Sequence, residues 1–254
     1  MLNGLRFLFL TLVMLFVASP TLADELLSIK AGYQMLEPEG SIAVSDHGFG
    51  SKLDVDQDLH LNDSEELLAE VALQLGDSRL TFSYLPIEFS GSGTIPFTGS
   101  YNGQAFNSGD HVSSRIKLDL YDAGYTYYLI NMDDVPTRFQ LGIELSVKIA
   151  DLDVEFSDSI TGLDESDSLL VPLPTLGIRS RVALGDLVGI SLRAGYFEYD
   201  ENSILDADIQ LEFSPIPNAG IFVGYRFFDL DVDEQDLYVS LEISGPYAGL
   251  LVRF

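Results

Sequence analysis

The chain has 254 residues, a formal net charge of −27 and no cysteine. A strongly acidic protein repels a polyanion, so we expect no nucleic acid among its partners. The lack of cysteine excludes disulfides, thiolate metal sites and a lipoprotein anchor.

Residues 1–23 have the features of a secretory signal peptide. Arg6 supplies a positive charge, an apolar core follows from Phe7 to Val17, and small residues precede Asp24. The apolar core is about 11 residues long, whereas a membrane-spanning helix needs about 20. We therefore predict that residues 1–23 are cleaved and that residues 24–254 form one domain. An uncleaved membrane anchor is the alternative.

After this segment, apolar and polar residues alternate in stretches that are separated by Gly, Asp and Pro. The clearest stretch is TRFQLGIELSVKIADLDVEF, residues 137–156. One face carries Phe139, Leu141, Ile143, Leu145, Val147 and Ile149, and the other carries Gln140, Gly142, Glu144, Ser146 and Lys148. Such alternation is typical of a strand of a membrane barrel, whose apolar face meets lipid while its polar face lines the lumen.

Ten stretches share this pattern, and the weakest of them, near residues 79–89, is interrupted by Pro86. We predict an all-β, up-and-down antiparallel transmembrane barrel of about ten strands, with eight strands as the alternative. The alternation changes phase at Asp122–Ala123 and at Gly245–Pro246, and we predict a β-bulge at each place.

Connections of two kinds alternate along the chain. Short ones fall at 76–78, 132–136, 185–186 and 215–218, and long or acidic ones at 37–64, 90–111, 157–167, 200–203 and 229–236. With a periplasmic N-terminus, this order predicts short periplasmic turns and longer acidic extracellular loops.

The alternation also assigns charged residues to the lumen. The predicted lumen-facing residues are Lys30, Glu70, Arg115, Lys117, Asp119, Glu144, Lys148, Arg179, Arg181, Arg193, Asp208, Glu212, Arg226 and Glu242. Because a buried charge must be paired, this mixture of signs favours a lumen plugged by ion pairs. The alternative is a narrow porin-like channel for small solutes, in which the four arginines Arg179, Arg181, Arg193 and Arg226 favour anions.

The first long loop contains a cluster of acidic residues. Asp54, Asp56, Asp58 and Glu65 stand at positions 1, 3, 5 and 12 of a calcium-loop template, but Leu59 occupies the position that requires glycine. We therefore expect loose Ca²⁺ or Mg²⁺ binding, bridging lipopolysaccharide phosphates, or a merely solvated acidic loop. No other cofactor is predicted.

Catalytic motifs are scarce. The three histidines are His47, His60 and His111, and no oxyanion-hole glycine motif accompanies the serines that follow His111. We predict that the protein is not an enzyme. The tyrosines near the end of the fourth stretch, Tyr121, Tyr125, Tyr127 and Tyr128, are typical of an aromatic girdle at a membrane interface.

The stretches YDAGYTYYLIN, LLVPLPTLGIRSRVAL and SGPYAGLLVRF resemble a family of small proteobacterial outer-membrane proteins that close on G-P-x-x-G-L-x-x-x-F. More distantly, the chain is similar to barrels of the OmpA and OmpW type. The resemblance implies integral insertion in the Gram-negative outer membrane, with lipid and lipopolysaccharide as surroundings. It also implies that the barrel-assembly machinery recognises the last strand, which ends on the aromatic Phe254. It implies no activity.

Overall fold

The computed structural model describes residues 26–44, 53–55, 61–94, 99–101, 104–106, 109, 111–132, 137–158, 163–185, 187–200, 202–216, 218–234 and 237–254. Over these residues the chain forms strands, and none of the described segments is a helix that could cross a membrane. In chain order the strands are β1 (Leu27–Val44), β2 (Leu53–Asp54), β3 (Ser64–Leu75), β4 (Ser78–Thr94), β5 (Gly99–Tyr101), β6 (Gln104–Phe106), β7 (His111–Met132), β8 (Thr137–Asp158), β9 (Leu163–Leu184), β10 (Val188–Tyr199), β11 (Asn202–Ile216), β12 (Ala219–Glu234) and β13 (Leu237–Arg253).

Ten of these strands form a closed antiparallel barrel. Their order around the barrel follows the chain, β1, β3, β4 and then β7 to β13, and β13 pairs with β1 to close the ring. The closure runs to the chain end, where Leu27 N donates to Phe254 O at 3.2 Å and Phe254 N donates to Leu27 O at 2.8 Å. In the turn-end half, closure leaves no unpaired sheet edge, whereas at the loop end the described part of β9 from Leu163 to Thr175 pairs with β8 and not with β10. The prediction of an up-and-down barrel with ten strands is confirmed.

The two ends of the barrel differ. The short connections at 76–77, 133–136, 185–187 and 217–218 lie at the same end as Leu26 and Phe254, and we call this the turn end. At the opposite, loop end, longer connections follow β1 and β4. Three predicted loops are shorter than expected, because β8 reaches Asp158, β12 reaches Glu234, and β10 turns directly into β11 at Asp200, which has a φ of 46°.

Neither of the two predicted β-bulges is present. Instead, the apolar face of the strands points outward in the turn-end half of the barrel and inward in the loop-end half. The pairing of β7 with β4 and β8 runs without interruption through Asp122–Ala123, and its one irregularity among the described pairs lies between Tyr128 and Ile130. The pairing of β13 with β12 continues through Gly245–Pro246, and its pairing with β1 is missing at these two residues but keeps the same register on either side. The alternation of apolar and polar residues changes phase because the two residue types exchange faces, while the register of the strands stays the same.

Strand β7 shows this inversion most clearly. In its turn-end half Asp122 and Thr126 are buried and face inward, while Tyr125 faces outward. In its loop-end half Leu118 is buried and Lys117 is exposed. An apolar interior beneath a polar exterior is the pattern of a soluble barrel. The inversion therefore marks where lipid outside the barrel gives way to water.

The apolar exterior of the turn-end half forms a belt around the barrel. On β8 the outward residues from 139 to 149 are apolar, and the next outward residue is Asp151. A tilted strand of about 9–11 residues crosses the hydrocarbon of a bilayer, so this length fits a membrane. The loop-end half of β8, from Asp151 to Asp158, then extends beyond the lipid.

The inversion is testable with single cysteines, since the chain has none of its own. We expect Lys117→Cys, in refolded protein in vesicles, to react rapidly with a water-soluble maleimide, because Lys117 lies on the outer face beyond the lipid. Leu118→Cys, which is buried, is expected to react only after unfolding. Faster labelling of Leu118→Cys would show that the strand has the opposite phase. Leu145→Cys, in the apolar belt, is the lipid-protected control.

Candidate functional site

Charged side chains fill the turn-end half of the lumen, and we call them the charged layer. Every one of the ten barrel strands contributes at least one. The cations are Lys30, Arg79, Lys148, Arg179, Arg181, Arg193, Arg226 and Arg253, and the carboxylates are Glu70, Asp122, Glu144, Asp206, Asp208 and Glu212.

Glu212 is shared by three cations on the turn side of this layer. Its Oε2 lies 2.6 Å from Arg253 Nη2 and 3.2 Å from Arg181 Nη2, and its Oε1 lies 3.1 Å from Lys30 Nζ. Lys30 Nζ is also 3.5 Å from Glu70 Oε1. Sharing lets one carboxylate neutralise part of several buried charges that would each be costly alone.

Glu144 lies in the middle of the layer. Its Oε2 accepts hydrogen bonds from Arg179 Nε at 2.5 Å and from Thr126 Oγ1 at 2.7 Å. Arg193 Nη1 approaches the other oxygen of this carboxylate at 3.7 Å. Glu144 thereby links the cations of β9 and β10 to β7 and β8.

The loop side of the layer is a closed arrangement of two cations and two carboxylates. Lys148 Nζ lies 2.7 Å from Asp206 and 3.5 Å from Asp122, and Arg193 lies 2.9 Å from each of these carboxylates. Ser146 Oγ donates a further hydrogen bond to Asp122. All four charged side chains are nearly inaccessible to solvent.

A tyrosine completes the layer next to β12. Tyr247 donates to Asp208 Oδ2 at 2.6 Å, and the guanidinium of Arg226 lies 5.3 Å from the centre of the Tyr247 ring. The ring lies over Gly224, where a Cβ atom would come within 2.3 Å of it. Glycine is thus required at this inward position to make room for the aromatic side chain.

Above the charged layer, towards the loop end, the lumen is filled by apolar side chains, which we call the apolar plug. They are all buried: Leu36, Leu85, Ile87, Phe89, Ile116, Leu118, Leu120, Ala150, Ile204, Phe228 and Ile243. Val55 and Leu61, from the connection between β1 and β3, belong to the same cluster. The charged layer and the apolar plug therefore lie one after the other along the barrel axis.

The structure places ten of the predicted lumen residues on the inward face, namely Lys30, Glu70, Glu144, Lys148, Arg179, Arg181, Arg193, Asp208, Glu212 and Arg226. Four predictions are wrong, because Arg115, Lys117, Asp119 and Glu242 lie on the outer face of the loop-end half. They were assigned inward on the assumption that apolar residues always face outward, which fails beyond the lipid.

Four residues of the charged layer were missed: Arg79, Asp122, Asp206 and Arg253. Asp122 shares its face with Gly124 and Thr126, and Asp206 shares its face with Asp208, so continuous alternation would have found both. Arg79 and Arg253 lie at strand ends, where too few neighbours define a period.

The acidic residues of the predicted cation site are only partly described. Asp54 pairs with Ser41 on β1, and Glu65 lies on the outer face of β3, where it accepts a hydrogen bond from Tyr33 at 2.7 Å. Asp56 and Asp58 lie outside the described residues, as do His47, His60 and the side chain of His111. Within the described part of the chain, no three acidic or histidine side chains are grouped to hold a metal ion.

Eight barrel strands carry an acidic residue on the outer face just beyond the apolar belt, and we call this ring the acidic collar. Its members are Glu37, Glu65, Glu88, Asp119, Asp151, Glu198, Asp229 and Glu242. Tyrosines on the belt side bond to it, as Tyr84 donates to Asp119 at 2.7 Å and Tyr196 donates to Glu198 at 2.8 Å. Tyr121, Tyr125 and Tyr127 face outward as predicted for an aromatic girdle, but Tyr128 is buried in the lumen.

These features define a closed, ten-stranded barrel with the fold of the outer-membrane β-barrels. The protease OmpT from the outer membrane of Escherichia coli is similar, with a TM-score of 0.57 and 10% identity over 93% of this chain and 99% of OmpT. The translocator domain of the autotransporter NalP from Neisseria meningitidis gives 0.48 and 13% over 99% and 97%, and neisserial surface protein A gives 0.38 and 14% over 92% and 100%. No protein-family model and no curated protein matches the chain. At these identities the likeness to OmpT concerns the fold alone.

The network predicts a large cost for removing a shared carboxylate. We expect Glu212→Gln to lower the free energy of unfolding by about 3–5 kcal/mol, because three cations then lose a buried counter-charge. Glu88→Gln, which breaks an exposed pair with Arg115, is the control and is expected to cost less than about 1 kcal/mol. Urea unfolding in vesicles measures both values. Equal costs would contradict the network.

In the acidic collar, by contrast with the charged layer, removing a carboxylate is expected to raise the stability of the protein, and this gain depends on pH. Burial, followed by repulsion from Glu39 and Asp229, raises the pKa of Glu242. A raised pKa means that the protonated group contributes stability at low pH and that this contribution is lost as the pH rises through the folded pKa. We therefore expect Glu242→Gln to be more stable than the wild type at about pH 7, with the difference disappearing below about pH 4.

The matched control for this pH effect is Glu37→Gln, since Glu37 stands opposite Ser244 on β13, whereas Glu242 stands opposite Glu39 on β1 and Asp229 on β12. Denaturant unfolding at several pH values gives the comparison. If Glu242→Gln were less stable than the wild type at neutral pH, then the carboxylate would be in a favourable interaction and the proposed repulsion would be wrong.

Proposed function

We propose that this protein is an integral barrel of the Gram-negative outer membrane whose lumen is closed and whose role is structural or one of surface interaction. The signal segment 1–23 is removed, the turn end faces the periplasm, and the loop end faces the exterior. The observation that carries the proposal is the stacking of the charged layer and the apolar plug along one lumen. The apolar belt and the similarity in fold to OmpT support the location.

The small size of the voids supports a closed lumen. Two cavities lined by the charged layer have volumes of about 30 and 20 Å³. Such volumes hold one or two water molecules, whereas a solute path needs a continuous channel. Phe89 and Leu36, both about 1% exposed, fill the lumen further towards the loop end.

The exterior of the loop end is the surface that meets partners. The acidic collar lies at the depth of lipid headgroups, where Ca²⁺ or Mg²⁺ bridges between carboxylates and the phosphates of lipopolysaccharide. We include the acidic residues Asp54, Asp56 and Asp58 of the first long loop, together with Glu65 of the collar, in this proposed interaction. We propose loose contacts of this kind, with divalent cations recruited from solution.

The absence of catalysis is part of the proposal. The loop-end lumen, which would be the place for a sheltered active site, is filled by the apolar plug over the described residues.

The final strand, with Phe254 paired to Leu27, presents the aromatic terminus by which the barrel-assembly machinery would recognise the chain. Neither nucleic acid nor a resident cofactor belongs to this function.

Single-channel recording tests the closed lumen. We expect refolded mature protein in a planar bilayer to give no discrete conductance steps, with or without millimolar Ca²⁺, while a porin in the same bilayer gives steps. Heat-modifiable migration on a gel verifies that the silent protein is folded. Steps with anion preference would overturn the closed lumen and favour the narrow channel, which the cations Arg179 and Arg181 also fit.

A further inference from the structure

On the turn side of the charged layer, cations outnumber carboxylates among the described residues, and Arg181 and Arg253 also make contacts beyond these pairs. The layer has eight cations and six carboxylates among the described residues, a difference of two. The loop side is balanced, with Lys148, Arg193 and Arg226 against Asp122, Asp206 and Asp208. The turn side has Lys30, Arg79, Arg179, Arg181 and Arg253 against Glu70, Glu144 and Glu212.

The five cations on the turn side converge on one cavity. Its volume is about 20 Å³, and its charged lining consists of Lys30, Arg79, Arg179, Arg181, Arg253 and Glu212. The hydroxyl-bearing side chains of Ser28 and Ser191 complete its polar wall. Five positive groups and the single carboxylate of Glu212 around one small void favour an anion over a cation.

Arg79 has donor capacity to spare at this cavity. The residue is 8% exposed, and its Nε has no hydrogen-bond partner. Its other contacts are long, with Nη1 3.4 Å from Gln74 Oε1 and Nη2 3.7 Å from Glu70 Oε1. A buried guanidinium donor without an acceptor is costly, so an acceptor in the cavity would stabilise the fold.

We propose that this cavity binds a single small inorganic anion of the size of chloride. A volume of about 20 Å³ is in the range of one or two water molecules, which suits a single small ion. The anion accepts the free donor of Arg79 and lies among the cations of the cavity wall. This inference rests on the closed lumen proposed above, because in an open pore an anion would pass through instead of being retained.

The first test compares anions at constant ionic strength. We expect the thermal unfolding midpoint of refolded protein to rise by several degrees when chloride replaces gluconate over a hundredfold range of concentration, since a ligand bound only to the folded state stabilises it. Arg79→Gln is expected to lose this chloride dependence. Arg115→Gln, which removes an arginine from the outer face, is expected to keep it.

A direct measurement keeps the test decisive where Arg79→Gln fails to fold. Crystals of the wild-type protein grown in bromide are expected to show one anomalous peak in the cavity between Arg79, Arg181 and Arg253. No peak there, or an equal chloride dependence in Arg79→Gln and Arg115→Gln, would overturn the anion site. Discrete conductance steps would instead overturn the closed lumen, so the two failures are distinguishable.

Discussion

In the hydrocarbon of a membrane, every backbone N–H and C=O group must find its partner within the protein. This barrel satisfies that constraint by pairing β13 with β1 as far as Leu27 and Phe254. Closure with ten strands also sets the width of the lumen, because strand number and tilt determine the diameter. The inward side chains must then fill a space of given size, and the remaining features of the molecule follow from how they do so.

Two kinds of filling are used, and each suits its surroundings. In the membrane half, the lumen is packed with ion pairs, whose desolvation cost offsets much of their attraction. What these pairs provide is mutual constraint, since Glu212 holds β1, β9 and β13 in register and Arg193 holds β7, β10 and β11. In the loop-end half, the apolar plug packs like the core of a soluble protein, with Phe89 and Ile243 almost fully buried.

The sequence predicts this architecture wherever lipid and a polar lumen lie on opposite faces of a strand. For residues 139–149 of β8 the alternation has one interpretation, and the inward face was identified correctly. Beyond the lipid the same alternation has the opposite meaning, so Lys117 was predicted to face the lumen although it lies on the outer face. Nothing local in the sequence distinguishes the two cases. Partners such as Arg193 and Asp122 are set by the stagger of strands across the lumen, which is a property of the closed barrel.

The boundary between the two halves is held by hydrogen bonds as well as by hydrophobicity. A carboxylate at the edge of the hydrocarbon is costly unless a donor compensates for lost water. Tyr33, Tyr84 and Tyr196 supply such donors from the lipid side, to Glu65, Asp119 and Glu198. Each ring stays in the apolar belt while its hydroxyl reaches the acidic collar, the arrangement that suits tyrosine at membrane interfaces. If the barrel lay deeper in the membrane, the carboxylates would be buried in lipid. If it lay less deep, the tyrosine rings would be exposed to water. These pairs therefore fix the depth of the barrel in the membrane.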